Sequence, residues 1–145
     1  MTAAAAAVVA VASELLHRSD RSFAVSCTPD TVRVGHMRRI TTAHLRQWKV
    51  SGPTADHIVL AVSELVTNGI QHGQEDIGLN VRYTPGEVRV EVTDGSPSPA
   101  QLTYAEDEDV SGRGLFLVAA LARDWGVSDD GKTTWCTFPA PTGRR

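Results

Sequence analysis

The chain has 145 residues, enough for one domain with its own hydrophobic core. Lys and Arg number 14 against 17 Asp and Glu, so the formal net charge is −3. Binding to nucleic-acid phosphates needs clustered basic residues, and this balance therefore argues against a dedicated nucleic-acid-binding protein. A hydrophobic content of 41% excludes a disordered chain, and two cysteines exclude a disulfide-built scaffold.

The first 20 residues are rich in alanine, the strongest helix former, and predict a helical N-terminal extension. The apolar run at residues 3–12 is too short to span a bilayer. No basic residue precedes this run, as one would in a secretory signal. We therefore expect a cytoplasmic protein with no membrane partner.

The first half of the domain is predicted as a strand followed by two helices. Alternating apolar residues indicate the strand at residues 22–27. Apolar residues at helical spacing then indicate one helix over 32–48 and a second, clearer one around 58–70. Residues 51–54 (Ser-Gly-Pro-Thr) separate the two helices, and Gly73 is placed to end the second.

Beyond residue 76 the patterns predict a hairpin, a polar mobile loop, a helix and a last hairpin. In chain order these segments are residues 77–83, 88–92, 94–111, 115–123, 125–127 and 133–138. The first hairpin has a Pro-Gly turn between two strands that each alternate apolar and polar residues. That alternation is typical of a sheet covered on one face only.

Strands and helices therefore come in runs, without alternating β-α-β units. This order predicts an α+β fold: a two-layer sandwich with a mixed, mostly antiparallel sheet and helices on one face. We assign the domain to residues 21–139, preceded by the extension at 1–20 and followed by a tail at 140–145.

Three polar residues of the second helix could carry chemistry. Glu64, Asn68 and His72 are spaced i, i+4, i+8 and so line one stripe, on the flank of the apolar face. An acid and an amide one turn apart can hold a hydrated Mg²⁺ ion through oxygen atoms, or the acid can polarise a hydroxyl. An ordinary helix flank with a solvated Glu and a capping Asn would have the same spacing.

A second candidate, Asp94 with Gly95, directly follows a Val-rich strand. A carboxylate there can accept a hydrogen bond from an exocyclic amine such as that of adenine. The glycine would let a ligand approach the backbone. Asp-Gly is also a common turn dipeptide, so a plain turn would explain the same two residues.

The third candidate is Gly112-Arg113-Gly114, directly before the predicted helix that starts at Leu115. Free backbone N–H groups at the positive end of a helix dipole suit a phosphate, and the arginine would add a charge. The segment is neither a P-loop nor a dinucleotide fingerprint, because the required Lys and the third Gly are missing. A flexible loop that ends in a helix start is the alternative.

In their order and spacing, four segments resemble the GHKL ATPase family, which includes gyrase, histidine kinases and a heat-shock chaperone ATPase. They are ELVTNGIQH (64–72), DGSP (94–97), GRGL (112–115) and GKTTW (131–135). The resemblance covers residues 22–138 and implies the Bergerat ATP-binding fold. Within the family, the sequence is similar to the anti-sigma-factor serine/threonine kinases and their actinobacterial relatives.

The resemblance implies a role for each matching residue. Asn68 would ligate the Mg²⁺ that bridges the ATP phosphates, and Glu64 would be the general base. Asp94 would accept from the adenine amine, and Thr133 would lie near adenine. The other candidate cofactor-binding residues lie beside the aspartate, at the phosphate-side loop and at the end of the helix motif: Gly95, Gly112, Arg113, Gly114, Leu115 and His72.

The implied function is an ATP- and Mg²⁺-binding regulatory kinase. It would phosphorylate an anti-sigma-factor antagonist protein, sequester a sigma factor, or do both, and a homodimer is among the assemblies that the resemblance implies. The alternative is a non-catalytic module that regulates transcription by partner binding, with or without nucleotide. Two departures favour that alternative: a short acidic lid at 100–111 and a missing second glycine after Asp94. A third departure is Gly69, where the family usually has alanine.

Overall fold

The computed structural model describes residues 21–72, 75–94 and 110–141, with the backbone alone described at 110–114. Within these ranges, five strands and three helices follow in the order β1, α1, α2, β2, β3, α3, β4, β5. The strands are Arg21–Cys27, Ile77–Thr84, Glu87–Thr93, Asp124–Val127 and Thr133–Pro139. The helices are Val32–Gln47, Gly52–His72 and Val110–Leu121.

The strands form one sheet in the order β1-β2-β3-β5-β4. The predicted two-layer α+β fold is confirmed, and all the described strand pairs are antiparallel, where a mixed sheet was expected. The chain passes from β1 to β2 through two successive helices. It therefore re-enters the sheet in the opposite direction, whereas a single crossover helix would make the pair parallel.

Helix α2 is the central element of the helical layer. Its buried residues recur at the spacing of one helical face: Ile58, Ala61, Val62, Leu65, Val66, Asn68 and Gly69. The inner face of the sheet supplies buried side chains at alternate positions, such as Ile77, Leu79 and Val81 of β2. Burial of a large aliphatic side chain contributes roughly 1.5–3 kcal/mol, so this interface anchors α2 on the sheet.

The third helix begins earlier than its sequence predicts. It starts at Val110, so Gly112 and Gly114 lie in its first turns and do not precede it. A start at Leu115, beyond the glycines, was expected, and glycine is indeed a poor helix former. Leu115 and Val118 are buried in the core, and this packing outweighs the low propensity.

Some predicted features fall outside the described residues. They include the N-terminal extension at 1–20, most of the predicted loop, at 95–109, and the end of the tail at 142–145. Gly73 and Gly95 fall there as well. Among the described residues, no helix is both long and apolar enough to cross a membrane.

Both cysteines are free thiols in strands, as small core residues would be. Cys136 of β5 is fully buried, and Cys27 at the end of β1 is half-buried. Burial raises the pKa of both thiols above their usual value, and that of Cys136 reaches about 12.

We expect Cys136 to make the protein less stable as the pH rises from 9 towards 12. The unfolded thiol ionises near pH 9.0, whereas the folded thiol keeps its proton until about pH 12. Over this window the unfolded state binds fewer protons, so the free energy of unfolding falls. At about 1.4 kcal/mol for each tenfold change in proton affinity, the loss due to this thiol is at most roughly 4 kcal/mol.

Urea unfolding of the wild type and of Cys136→Val at pH 7.5 and about pH 10.5 measures this contribution, since the other titrating groups are common to both proteins. The wild type should lose more stability between the two pH values than the variant does. Cys27→Val is the control and should follow the wild type more closely. Equal losses in the wild type and Cys136→Val would contradict the prediction.

Candidate functional site

Glu64, Asn68 and His72 occupy successive turns of α2, and their exposure differs. Glu64 is half-buried, Asn68 is only 6% exposed, and His72 is exposed as the last residue of the helix. The predicted flank position therefore holds for the first two. Burying an amide costs free energy unless it meets a polar partner. The Asn68 amide is not among the described buried side-chain atoms that lack a hydrogen-bond partner.

Gly69 brings helix α2 into contact with the end of β3. A Cβ atom at Gly69 would lie 3.5 Å from Oδ2 of Asp94 and 3.2 Å from Cδ1 of Ile77. The Asp94 side chain therefore packs on α2 at Gly69, the residue that follows Asn68. By sequence alone Gly69 is a weak point in a helix; in the structure it leaves room for Ile77, whereas Asp94 lies at an ordinary contact distance.

The backbone of Asp94 is fixed by the neighbouring strand β5. Its N–H donates to the carbonyl oxygen of Lys132 at 2.9 Å. One residue earlier, the hydroxyl oxygens of Thr93 and Thr133 lie 2.8 Å apart across the strand pair. The side chain of the predicted Thr133 therefore pairs with Thr93 on the outer face of the sheet, whereas the Asp94 side chain lies against α2 on the inner face. The sequence did not indicate the contact with Thr93, because it depends on the pairing of β3 with β5.

The turn between β4 and β5 holds the start of β5 in place. Asp130 accepts hydrogen bonds from the hydroxyl of Ser128 at 2.6 Å and from the N–H of Lys132 at 3.0 Å. The Ser128 hydrogen bond, followed by that of Lys132, lowers the pKa of the Asp130 carboxyl. Because Lys132 also accepts from the Asp94 N–H, the turn helps to position Asp94.

The phosphate-loop candidates need a correction. Gly112, Arg113 and Gly114 were expected to precede a helix, but they lie within the first turns of α3, which packs against α2. The first N–H groups of a helix have no intrahelical partner, so the N–H groups that could bind a phosphate are those at the start of α3. The Leu115 side chain is 2% exposed in the core, which leaves only its backbone for a ligand.

Together, these elements form one site at the end of β3 and the start of β5, beside the last turns of α2. It combines the carboxylate of Asp94, the buried amide of Asn68 and, about 6 Å earlier along the helix axis, the half-buried carboxylate of Glu64. Such a site can accept a hydrogen bond from an amine, offer an oxygen to a hard cation and accept a proton from a hydroxyl. Among the described side chains, no three His, Cys, Asp or Glu residues come together as a metal site.

Comparison with known proteins agrees with this fold. A family model described as the histidine kinase-like ATPase domain matches residues 25–138. A search among curated proteins finds no match to the sequence. The matched range extends from within β1 to within β5 and contains Glu64, Asn68, Asp94 and Thr133. Since it covers most of the chain, the chain belongs to the histidine kinase-like ATPase family, of the GHKL type.

Proposed function

We propose that this chain binds ATP together with Mg²⁺ and acts as a serine/threonine protein kinase of the anti-sigma-factor type. One observation carries the proposal: the Asp94 side chain lies against α2 at Gly69, the residue that follows Asn68. An acceptor suited to adenine and an oxygen ligand suited to Mg²⁺ are thereby held on one rigid support. Membership of an ATPase family supports the same reading.

Asp94 would form the adenine side of the proposed site. The carboxylate of Asp94 would accept a hydrogen bond from the exocyclic amine of adenine, and guanine lacks a donor at that position. The hydrogen bond to Lys132 and the contact with Gly69 fix Asp94 at both its backbone and its side chain. We therefore expect a preference for adenine nucleotides.

Asn68 would be the protein ligand of Mg²⁺. The ion prefers oxygen ligands and keeps several waters, so one amide oxygen suffices when phosphate oxygens complete the shell. When bound, the ion would neutralise charge on the phosphates, which is the main electrostatic demand of phosphoryl transfer. The position of Asn68 on the flank of α2, directly before the Gly69 contact with Asp94, fits this assignment.

Glu64 would serve as the general base. Its carboxylate would take the proton of a serine or threonine hydroxyl while that oxygen forms a bond to the γ-phosphorus. The bond between the γ-phosphorus and the bridging oxygen breaks, and ADP leaves. The half-buried position of Glu64, one turn before Asn68, leaves the carboxylate reachable by a second protein.

The protein substrate would be an anti-sigma-factor antagonist, and a sigma factor would be a second partner held by contact alone. The closest competing function is a nucleotide-binding module without phosphotransfer. The missing second glycine after Asp94 and the short acidic lid at 100–111 favour this alternative. Mg·ATP binding with no phosphorylation of any protein would support the module.

Titration calorimetry with ATP, with and without Mg²⁺, tests the proposed site. We expect the wild type to bind ATP more tightly when Mg²⁺ is present. Asn68→Ala should lose most of this Mg²⁺ dependence, with affinity for Mg·ATP lowered by roughly tenfold, or about 1.4 kcal/mol. Asn80→Ala, on the outer face of β2, is the matched control and should bind as the wild type does. Absence of binding by the wild type at millimolar ATP would overturn the proposal.

A further inference from the structure

A cavity of about 530 Å³ opens between α1 and α2, and neither Asn68 nor Asp94 lines it. We call it the helical groove. Its floor is apolar and is formed by Leu45, Val50, Val59 and Leu60. The first two of these side chains are buried and the other two half-buried, so apolar surface remains open at this face of the helical layer.

The α1 side of the helical groove is basic. Arg38 and Arg46 line it, both are exposed, and they lie about 12 Å apart along the helix axis. The ion pairs among the described residues involve other arginines. Helix α1 carries four arginines and no acidic residue, in a chain whose net charge is −3. One acidic residue, Asp56, lines the α2 side, so the lining keeps a net positive charge.

The helical groove leads towards the proposed general base. Leu60 lies one turn before Glu64, on the same stripe of α2 that continues to Asn68. Ser63, the residue before Glu64, also lines the groove. A segment lying in the groove would therefore have its end close to Glu64.

We propose that the helical groove docks an acidic, amphipathic helical segment of the protein that is phosphorylated. Its apolar face would pack on the floor, and two carboxylates would meet Arg38 and Arg46. Side chains two helical turns apart are about 11 Å apart along the axis, which matches the spacing of the two arginines. A single small anion could not reach both. This inference rests on the proposed kinase function.

A synthetic, fluorescein-labelled helical peptide is the probe. It carries leucines on one face, two glutamates two turns apart and one serine, and its matched control has glutamine in place of both glutamates. Fluorescence anisotropy with the full chain should show tighter binding of the acidic peptide. Arg38→Glu combined with Arg46→Glu should weaken that binding by about tenfold or more, because attraction becomes repulsion at both ends.

The control variant combines Arg39→Glu with Arg82→Glu. It changes the net charge equally, through exposed residues that do not line the groove. It should bind the acidic peptide within about twofold of the wild type. Equal weakening by both double variants would overturn the proposal, since the effect would then be one of overall charge. Tighter binding of a DNA oligonucleotide through Arg38 and Arg46 would also overturn it, in favour of a nucleic-acid surface.

Calorimetry with Mg·ATP on the same variants separates this inference from the proposed function. Both double variants should bind Mg·ATP as the wild type does, because neither changes Asn68 or Asp94. If the wild type failed to bind ATP, the kinase site would be rejected. The peptide titrations would still show whether the helical groove binds the acidic peptide. Normal ATP binding with no difference between the two peptides would reject the groove proposal alone.

Discussion

Replacing Asp94 with asparagine should weaken ATP binding by roughly 10- to 100-fold, the cost expected for losing a hydrogen bond to a charged group. Asparagine has nearly the same shape, so the contact with Gly69 and the hydrogen bond from its own N–H to Lys132 should persist. Its amide can present an NH₂ group to the adenine amine, and two donors repel each other. Titration calorimetry with Mg·ATP measures the loss.

Asp56→Asn is the matched control for this experiment. It makes the same chemical change on an exposed residue of α2, outside the nucleotide site, and should leave ATP affinity unchanged. Thermal unfolding of both variants should show that each remains folded. If Asp94→Asn bound ATP as tightly as the wild type, the adenine would have to be recognised elsewhere, and the assignment of this site would be wrong.

Replacing Glu64 with glutamine should slow phosphoryl transfer by roughly 10²- to 10⁴-fold, the usual contribution of a general base. Glutamine keeps the size of the side chain but cannot accept the hydroxyl proton. Affinity for Mg·ATP should change little, because adenine recognition and the Mg²⁺ ligand are assigned to Asp94 and Asn68. Phosphorylation of the serine-containing acidic peptide, together with ADP release, provides the rate.

Glu75→Gln, an exposed residue beyond the end of α2, is the matched control for the rate measurement. It should phosphorylate the peptide at the wild-type rate. Transfer by Glu64→Gln at that same rate would remove Glu64 from the role of base, even if ATP binding were intact. A wild type that binds Mg·ATP and transfers to no hydroxyl would support the non-catalytic module.

Much of the fold could be read from local patterns. The spacing of apolar residues in α2 and the alternation in β2 and β3 report directly which side chains face the core, because helices and strands have fixed periods. The same periodicity placed Glu64 and Asn68 on the flank of the buried face. The order of short motifs along the chain was enough to indicate the GHKL family, which the family model confirms.

Features that depend on distant parts of the chain were decided by the tertiary structure. The start of α3 at Val110 follows from burial of Leu115, which outweighs the weak helix propensity of glycine. The pairing of β3 with β5 joins Thr93 to Thr133 across 40 residues. Local sequence patterns do not encode that pairing, because it depends on the order of the strands in the sheet and on closing the chain between them.

The sequence by itself determined which residue types carry the chemistry and on which elements they lie. Only the tertiary structure decided that the Asp94 side chain lies against α2 at Gly69, and that α1 and α2 leave a basic groove leading towards Glu64. The physical reason is that periodicity records how each element faces the core, whereas distances between elements depend on how their side chains pack together.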